Sequence, residues 1–333
     1  MSGTWRGKRE WMVGVVASVG LAVSLLGQGV EQARTDGRSR ARLVVEKESV
    51  TVQRGEAMLG RYRYEGVAFK PYLERLCTPG GVNVLRDGPT DHKHHHGLMY
   101  GVTVDGVNFW EEGSGAGKEV GRWLGPVAVR EQEGLVGADF GVGLNWMGTE
   151  ERPMLREWRQ VGVYSWGEMG ATLAVWQSRL GVGRGRESAT LTGAHYHGLG
   201  MRLVASMDKG GVFMNAAGEE GEVVRGTERL VRGSWCAYTA AAEGREVTVA
   251  MFAGPGNVRE ATWFMMTEPF AYLSATLNTY REPLVVERGK ALSLCYGVVL
   301  WDGRVERARI EKAYTHWQSL ARDLAGPMTR RSN

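Results

Sequence analysis

What this chain of 333 residues has little of narrows its class first. It has three cysteines, Cys77, Cys236 and Cys295, all far apart in sequence. That spacing forms no zinc knuckle, allows at most one disulfide and leaves one thiol over. Their simplest role is as buried small hydrophobes. Proline is scarce, at nine residues, and no Pro- or Ser-rich linker interrupts positions 43–324. There is no P-loop, no nucleophile-elbow pentapeptide and no dinucleotide fingerprint. The 41 basic and 37 acidic side chains nearly balance, and no basic run interleaved with aromatics stands out, so nucleic acid is not an expected partner. Beyond the N-terminus no segment is apolar for long enough to span a bilayer.

Residues 1–33 have the order of an export signal. Arg6, Lys8 and Arg9 form a basic start, Trp11 to Leu26 is uncharged and largely apolar, and Gly27, Gln28 and Gly29 follow before Glu31 restores charge. The expectation is an exported protein, periplasmic or extracellular. The alternative is a membrane anchor formed by residues 11–30, the chain's one expected contact with a membrane. Residues 34–42 and 325–333 read as loose tails on either side of one domain at 43–324.

Within that stretch the sequence is abundant in glycine, with 48, and in strand-like alternation. Leu98, Tyr100, Val102 and Val104 alternate up to Asp105-Gly106, a pair that tolerates the positive φ of a two-residue hairpin turn, and Val107 and Phe109 resume the pattern. Val247, Val249 and Met251 alternate after Glu243-Gly244. Leu292, Leu294, Tyr296, Val298 and Leu300 share one strand face, while Cys295, Val299 and Trp301 occupy the other, so that strand is expected to be covered on both sides. One helix is expected within 303–324, where Ile310, Ala313, Tyr314, Trp317, Leu320 and Ala321 fall on one face. His316 beside that stripe reads as structural. The fold expected is all-β: a large antiparallel β-sandwich of two packed sheets with one C-terminal amphipathic helix.

Six of the seven histidines fall in two short clusters. The denser runs Arg86-Asp87-Gly88-Pro89-Thr90-Asp91-His92-Lys93-His94-His95-His96-Gly97. Four imidazoles and a carboxylate so close together are expensive to bury dry, because each neutral ring has a donor and an acceptor to satisfy. Pro89 marks a loop leading into the strand at Leu98. If that segment is extended, His92, His94 and His96 point to one side and His95 to the other, and the three could hold a divalent metal. Without metal, His94 or His95 serves as acid–base with Asp91 as orienter, and a solvated structural loop is the third reading. The second cluster is His195-Tyr196-His197-Gly198-Leu199-Gly200-Met201-Arg202. Its glycines would admit a close backbone or ligand approach. Arg202 could grip a carboxylate, and Arg86, His92, Trp110 and Trp235 complete the candidate substrate-binding set. Trp263 and Tyr238 are further aromatic candidates. Glu111, Glu112 and Asp139 are candidate carboxylates for glycoside chemistry.

At these residues the chain resembles a bacterial PmoA-like family, which carries the label methane oxygenase. The resemblance rests on Lys70-Pro71-Tyr72, Leu76-Cys77-Thr78-Pro79-Gly80-Gly81, the Asp91 to Leu98 element, Asp105 to Glu111, Tyr196 to Arg202, Arg232 to Tyr238, Glu268-Pro269-Phe270 and the end of the chain from Leu284 to Gly303. It covers roughly residues 60–320. The family pattern has Arg at the position of His96 and Gly at that of His197, which favours His92, His94 and His95 as functional. The resemblance implies an exported β-sandwich protein from polysaccharide-degrading bacteria. The oxygenase label does not transfer, because a membrane monooxygenase subunit needs several apolar spans and this chain has one. The expectation is therefore a protein that acts on or binds a small-molecule or glycan ligand through the His/Asp loop, needing either no cofactor or one divalent metal. A metal-dependent oxidoreductase and a non-catalytic glycan-binding module are the alternatives.

Overall fold

A computed structural model describes residues 41–132, 134–149 and 152–324. The export signal or anchor, most of the first tail and the last tail lie outside the described residues. The first strand, Ala41–Val45, begins inside the stretch expected to be a tail.

Alternation of apolar and polar residues dictates the layers. A ten-stranded sheet runs, from one edge, through Ala41–Val45, Ser49–Arg54, Ala57–Arg63, Tyr72–Leu76 and Leu98–Gly101. It continues through Gly198–Arg202, Tyr272–Thr276, Thr262–Met266, Glu228–Arg232 and Glu222–Arg225. An eight-stranded sheet contains the long strands Leu135–Met147, Pro153–Trp166, Ala171–Val182 and Leu292–Asp302. All the pairings in both sheets are antiparallel, as expected for a sandwich. A small four-stranded sheet, containing Ser188–Thr192 and the short hairpin at Asp105-Gly106, was not foreseen. In that turn Asp105 and Gly106 both have positive φ, 45° and 85°.

The inner faces of the two large sheets share the main core, which includes Tyr100, Leu199, Met201 and Leu273 from one sheet and Phe140, Trp176 and Val298 from the other. The outer face of the eight-stranded sheet is covered by the helix Arg307–Leu324. Its Ile310, Ala313, Trp317 and Ala321 bury against Val299, Trp301 and Phe252. Strand Leu292–Asp302 is therefore covered on both sides, as its sequence indicated. All three cysteines are free and buried. No helix among the described residues is long and apolar enough to cross a membrane.

Among the described residues no α-helix covers the outer face of the ten-stranded sheet. Residues alternating with the core positions emerge there: Tyr72, Met99, Leu230, Phe264, Met266 and Tyr272 form a third, smaller cluster. Trp110 and Phe270 close over it from loops. This cluster is the floor of the histidine site.

Candidate functional site

The histidine loop is folded by tight turns and is not extended. The His92 N–H donates to the Pro89 carbonyl (3.0 Å), His95 N–H to His92 (2.9 Å) and Gly88 N–H to His95 (2.9 Å). Gly97 then turns the chain into the sheet with φ 45°, where an added Cβ would lie 2.2 Å from the Leu73 carbonyl oxygen. The turns break the expected alternation of side chains. His92, His94 and His95 come together, with His92 stacked on His95 (centroids 4.8 Å, 20°) and His94 edge-on to both. His96 turns away and stacks on Tyr72 at 4.5 Å.

Of the candidate metal set His92, His94 and His96, the first two are edge-on neighbours (centroids 5.8 Å), while His96 belongs to a different set of contacts. Among the described residues no group of three or more His, Cys, Asp or Glu side chains is placed to hold an ion.

Two hydrogen-bonded networks flank the loop. In the first, His96 bridges Asp87 (Nδ1 to Oδ1, 2.6 Å) and Glu112 (Nε2 to Oε1, 3.0 Å). Tyr72 donates to the other Asp87 oxygen, and the buried Lys70 ammonium donates to Glu112 and to the Trp110 carbonyl. Burial would lower the His96 pKa, but the two carboxylates outweigh it and raise it. Glu112 is held low against burial by His96 and Lys70. In the second network, at the mouth, His94 Nδ1 lies 3.2 Å from Glu111 Oε2. Burial lowers the His94 pKa, and Glu111 opposes this only in part. His92 Nδ1 meets Asp91 Oδ2 at 3.1 Å, and Asp91 also lies 3.5 Å from Arg202 Nη2. Burial acts to raise the Asp91 pKa, but the His92 hydrogen bond and the Arg202 charge hold it low.

Below the loop the floor is almost fully buried. His95 is only 6% exposed, and burial together with the neighbouring cations pushes its pKa down to about 2. His197 stacks flat on Trp110 (5.1 Å, 13°) and is likewise driven by burial to about 3. Both rings are neutral at ordinary pH. The Arg202 guanidinium lies 3.5 Å above the Phe270 ring. Gly200 lets the floor close: a Cβ there would lie 2.0 Å from Tyr272 Oη and 2.7 Å from the Trp110 ring. The close approach that its sequence suggested is thus made by two aromatic side chains.

The two histidine clusters meet through Trp110, which contacts His95 at 6.1 Å and His197 at 5.1 Å. His195 sits farther along the same face, bonded to Glu228 (3.1 Å) and packed on Phe264 and Tyr280. Arg86 lies beside the loop, its backbone bonded to Arg202 and Gly97. Asp91, His92, His94, His95, Trp110 and Arg202 are thus neighbours on one sheet face.

Four candidates lie elsewhere. Trp235 is buried under the C-terminal helix, with Arg307 5.2 Å over its ring, because its strand turns it to the outer side of the other sheet. Asp139 is on that sheet too, held by Gln160 (2.7 Å), Tyr164 and Arg130. Trp263 and Tyr238 belong to the main core. A depression of about 350 Å³ beside the helix, lined by Val212, Met214 and Ile310, contains none of the clustered histidines. Tyr272 and Phe270 were missed from the sequence. The fragment Glu268-Pro269-Phe270 was the available signal, a proline turn leading into Tyr272.

A family model described as a family of unknown function, DUF6807, matches residues 49–315. This corrects the PmoA-like resemblance: the model that fits the chain is this one. No curated protein matches. Among solved structures, the α-galactosidase AgaB of Geobacillus stearothermophilus, a GH36 enzyme, is similar at 10% identity and a TM-score of 0.49, over 78% of this chain and 41% of that one. An α-galactosidase from Lactobacillus brevis is similar at 5% identity and a TM-score of 0.41, over 79% of this chain and 39% of its own. The chain thus spans about two fifths of the length of these enzymes. Overlaps this loose assign neither activity nor site.

Proposed function

We propose that this chain, which belongs to the DUF6807 family, binds an oxygen-rich small molecule of the carbohydrate class on the outer face of its ten-stranded sheet, beneath the Asp91–His96 loop. The supporting observation is a group of buried polar atoms without hydrogen-bond partners among the described residues: His95 Nδ1, His197 Nδ1, Trp110 Nε1, Tyr272 Oη, and Nε and Nη1 of Arg202. Buried polar groups in folded proteins are nearly always paired, and leaving one unpaired costs about 1–3 kcal/mol. Several orphans in one neighbourhood suit a partner supplied from outside. The indole and guanidinium atoms can only donate, and the hydroxyl and the neutral imidazoles can donate or accept. A hydroxylated sugar ring offers that mixture. Trp110, Phe270 and the half-buried Tyr196 supply apolar surface for its C–H faces.

In this reading His94 is the proton-transfer group. Burial keeps it neutral at pH 7 and able to accept a proton, and Glu111 orients it and stabilises the imidazolium once formed. Asp91 orients His92 and Arg202. Export through residues 1–33 would bring the site to its ligand outside the cytoplasm.

Calorimetric titration of the full chain with a panel of mono- and oligosaccharides tests binding, and assays for hydrolysis, elimination or isomerisation test turnover. Expected are saturable binding and a His94→Gln variant that keeps affinity but loses turnover. Binding with no turnover on any sugar would favour a glycan-binding module, and absence of binding throughout would overturn the proposal.

A further inference from the structure

Arg202 brings a full positive charge into the buried floor with its counter-charge incomplete. Its side chain is 1% exposed, and a guanidinium does not shed its proton at any ordinary pH. Asp208 and Asp91 are the carboxylates that act on it; of these Asp91 lies 3.5 Å from Nη2 and is itself 46% exposed, so water screens it. Nε and Nη1 have no hydrogen-bond partner among the described residues. The other carboxylates around the site are engaged: Asp87 by Tyr72 and His96, Glu112 by His96 and Lys70, Glu111 by His94, and Glu228 by His195 and Arg225. Asp208 Oδ1 accepts the Ala271 N–H. Burial lowers the Arg202 pKa, Asp208 and Asp91 oppose this, and the charge of Arg86 adds to the lowering. Beside Arg202, the Tyr272 hydroxyl and His95 Nδ1 are also unpartnered.

We propose that the ligand carries a carboxylate, as a uronic acid does, and that this group is held by the free N–H groups of Arg202 with Tyr272 and His95 beside it. A buried, incompletely paired cation favours an anion over a neutral group of the same shape, because its burial has already removed most of its contact with water when the ligand arrives. The stacking on Phe270 fixes the guanidinium plane in advance. This inference rests on the sugar-binding reading above.

The test compares galacturonate with galactose, glucuronate with glucose and mannuronate with mannose on the wild-type chain, with acetate as a bare carboxylate. At least one uronate should bind about tenfold or more tightly than its neutral counterpart, equivalent to about 1.4 kcal/mol. Acetate should bind more weakly than that uronate. Arg202→Lys should erase most of the preference, and the milder Tyr272→Phe should reduce it, with circular dichroism confirming the fold of each. Equal affinity for acid and neutral sugars would overturn the carboxylate and leave the sugar site standing. Acetate binding as tightly as the uronate would overturn the sugar and leave the anion site. No binding of any probe would overturn both.

Discussion

Two buried arginines, one between the sheets and one on the outer face, show how the same side chain can be finished or left open. Arg159 is fully buried in the main core. Its Nε donates to Glu157, Nη1 to Tyr62 and the Pro71 carbonyl, and Nη2 to Glu119 and Glu157. It also lies 4.5 Å over the Trp176 ring. Burial alone would lower its pKa, but Glu157, Tyr62 and Glu119 hold it well above the ordinary arginine value. Arg202 is almost as inaccessible to solvent, on the outer face of its sheet, and burial lowers its pKa; two of its nitrogens are unpartnered among the described residues, and only Asp208 and the half-exposed Asp91 oppose the lowering. A charge that the fold has fully answered is part of the scaffold. A buried charge that the fold has answered only in part is where we propose that a ligand binds.

The contrast predicts opposite outcomes for the same substitution. Arg159→Met strands Glu157 and Glu119 in the core and should cost about 3–5 kcal/mol in urea unfolding, enough to prevent folding of a marginal chain. Arg202→Met leaves no buried anion behind. Its stability should stay within about 1 kcal/mol of wild type, or rise, while ligand binding is lost. Equal destabilisation by the two would break the comparison.

Next in size is an acid effect carried by the floor. His95 and His197 have folded-state pKa values of about 2 and 3, below the ordinary 6.5. The unfolded chain therefore binds more protons than the folded one across that window, and stability falls as pH drops from about 6.5 towards 3. Each ring contributes a slope of up to about 1.4 kcal/mol per pH unit. A His95→Gln, His197→Gln double variant should show a shallower fall than wild type when unfolding is followed at pH 4–6. An unchanged slope would mean that these rings are protonated in the fold.

The smallest effect is expected from a third arginine. Arg281 makes a two-pronged contact with Glu222 (2.9 and 2.6 Å), but both side chains are about half exposed. Arg281→Ala should change stability by less than about 1 kcal/mol, and salt should shrink even that. A cost near that of Arg159→Met would show that geometry, not burial, sets the value of an arginine in this fold.

What could be read from the sequence was what local pattern controls. The Asp105-Gly106 turn, the two-faced strand at Leu292–Asp302 and the Trp317 stripe each depend on residues within a few positions of one another. Sheet order does not: strand Gly198–Arg202 pairs with Leu98–Gly101 and Tyr272–Thr276, partners some hundred and seventy positions apart. The small third sheet was hidden for the same reason. The histidine loop misled because alternation was assumed where Gly88, Pro89 and Gly97 already signalled turns. Trp235 and Trp110 look alike in sequence, and only the face to which each is turned separates core from site.

The strands beneath the site give every second residue to the outer face and the rest to the core. Leu199 and Met201 are core while Gly200 and Arg202 are floor, and Leu273 is core beside Tyr272. Anyone seeking altered specificity in the laboratory would therefore find that whole-segment randomisation yields mostly unfolded chains. The usable library has a gap at every other codon along the floor strands, and its freest positions lie in the loop above.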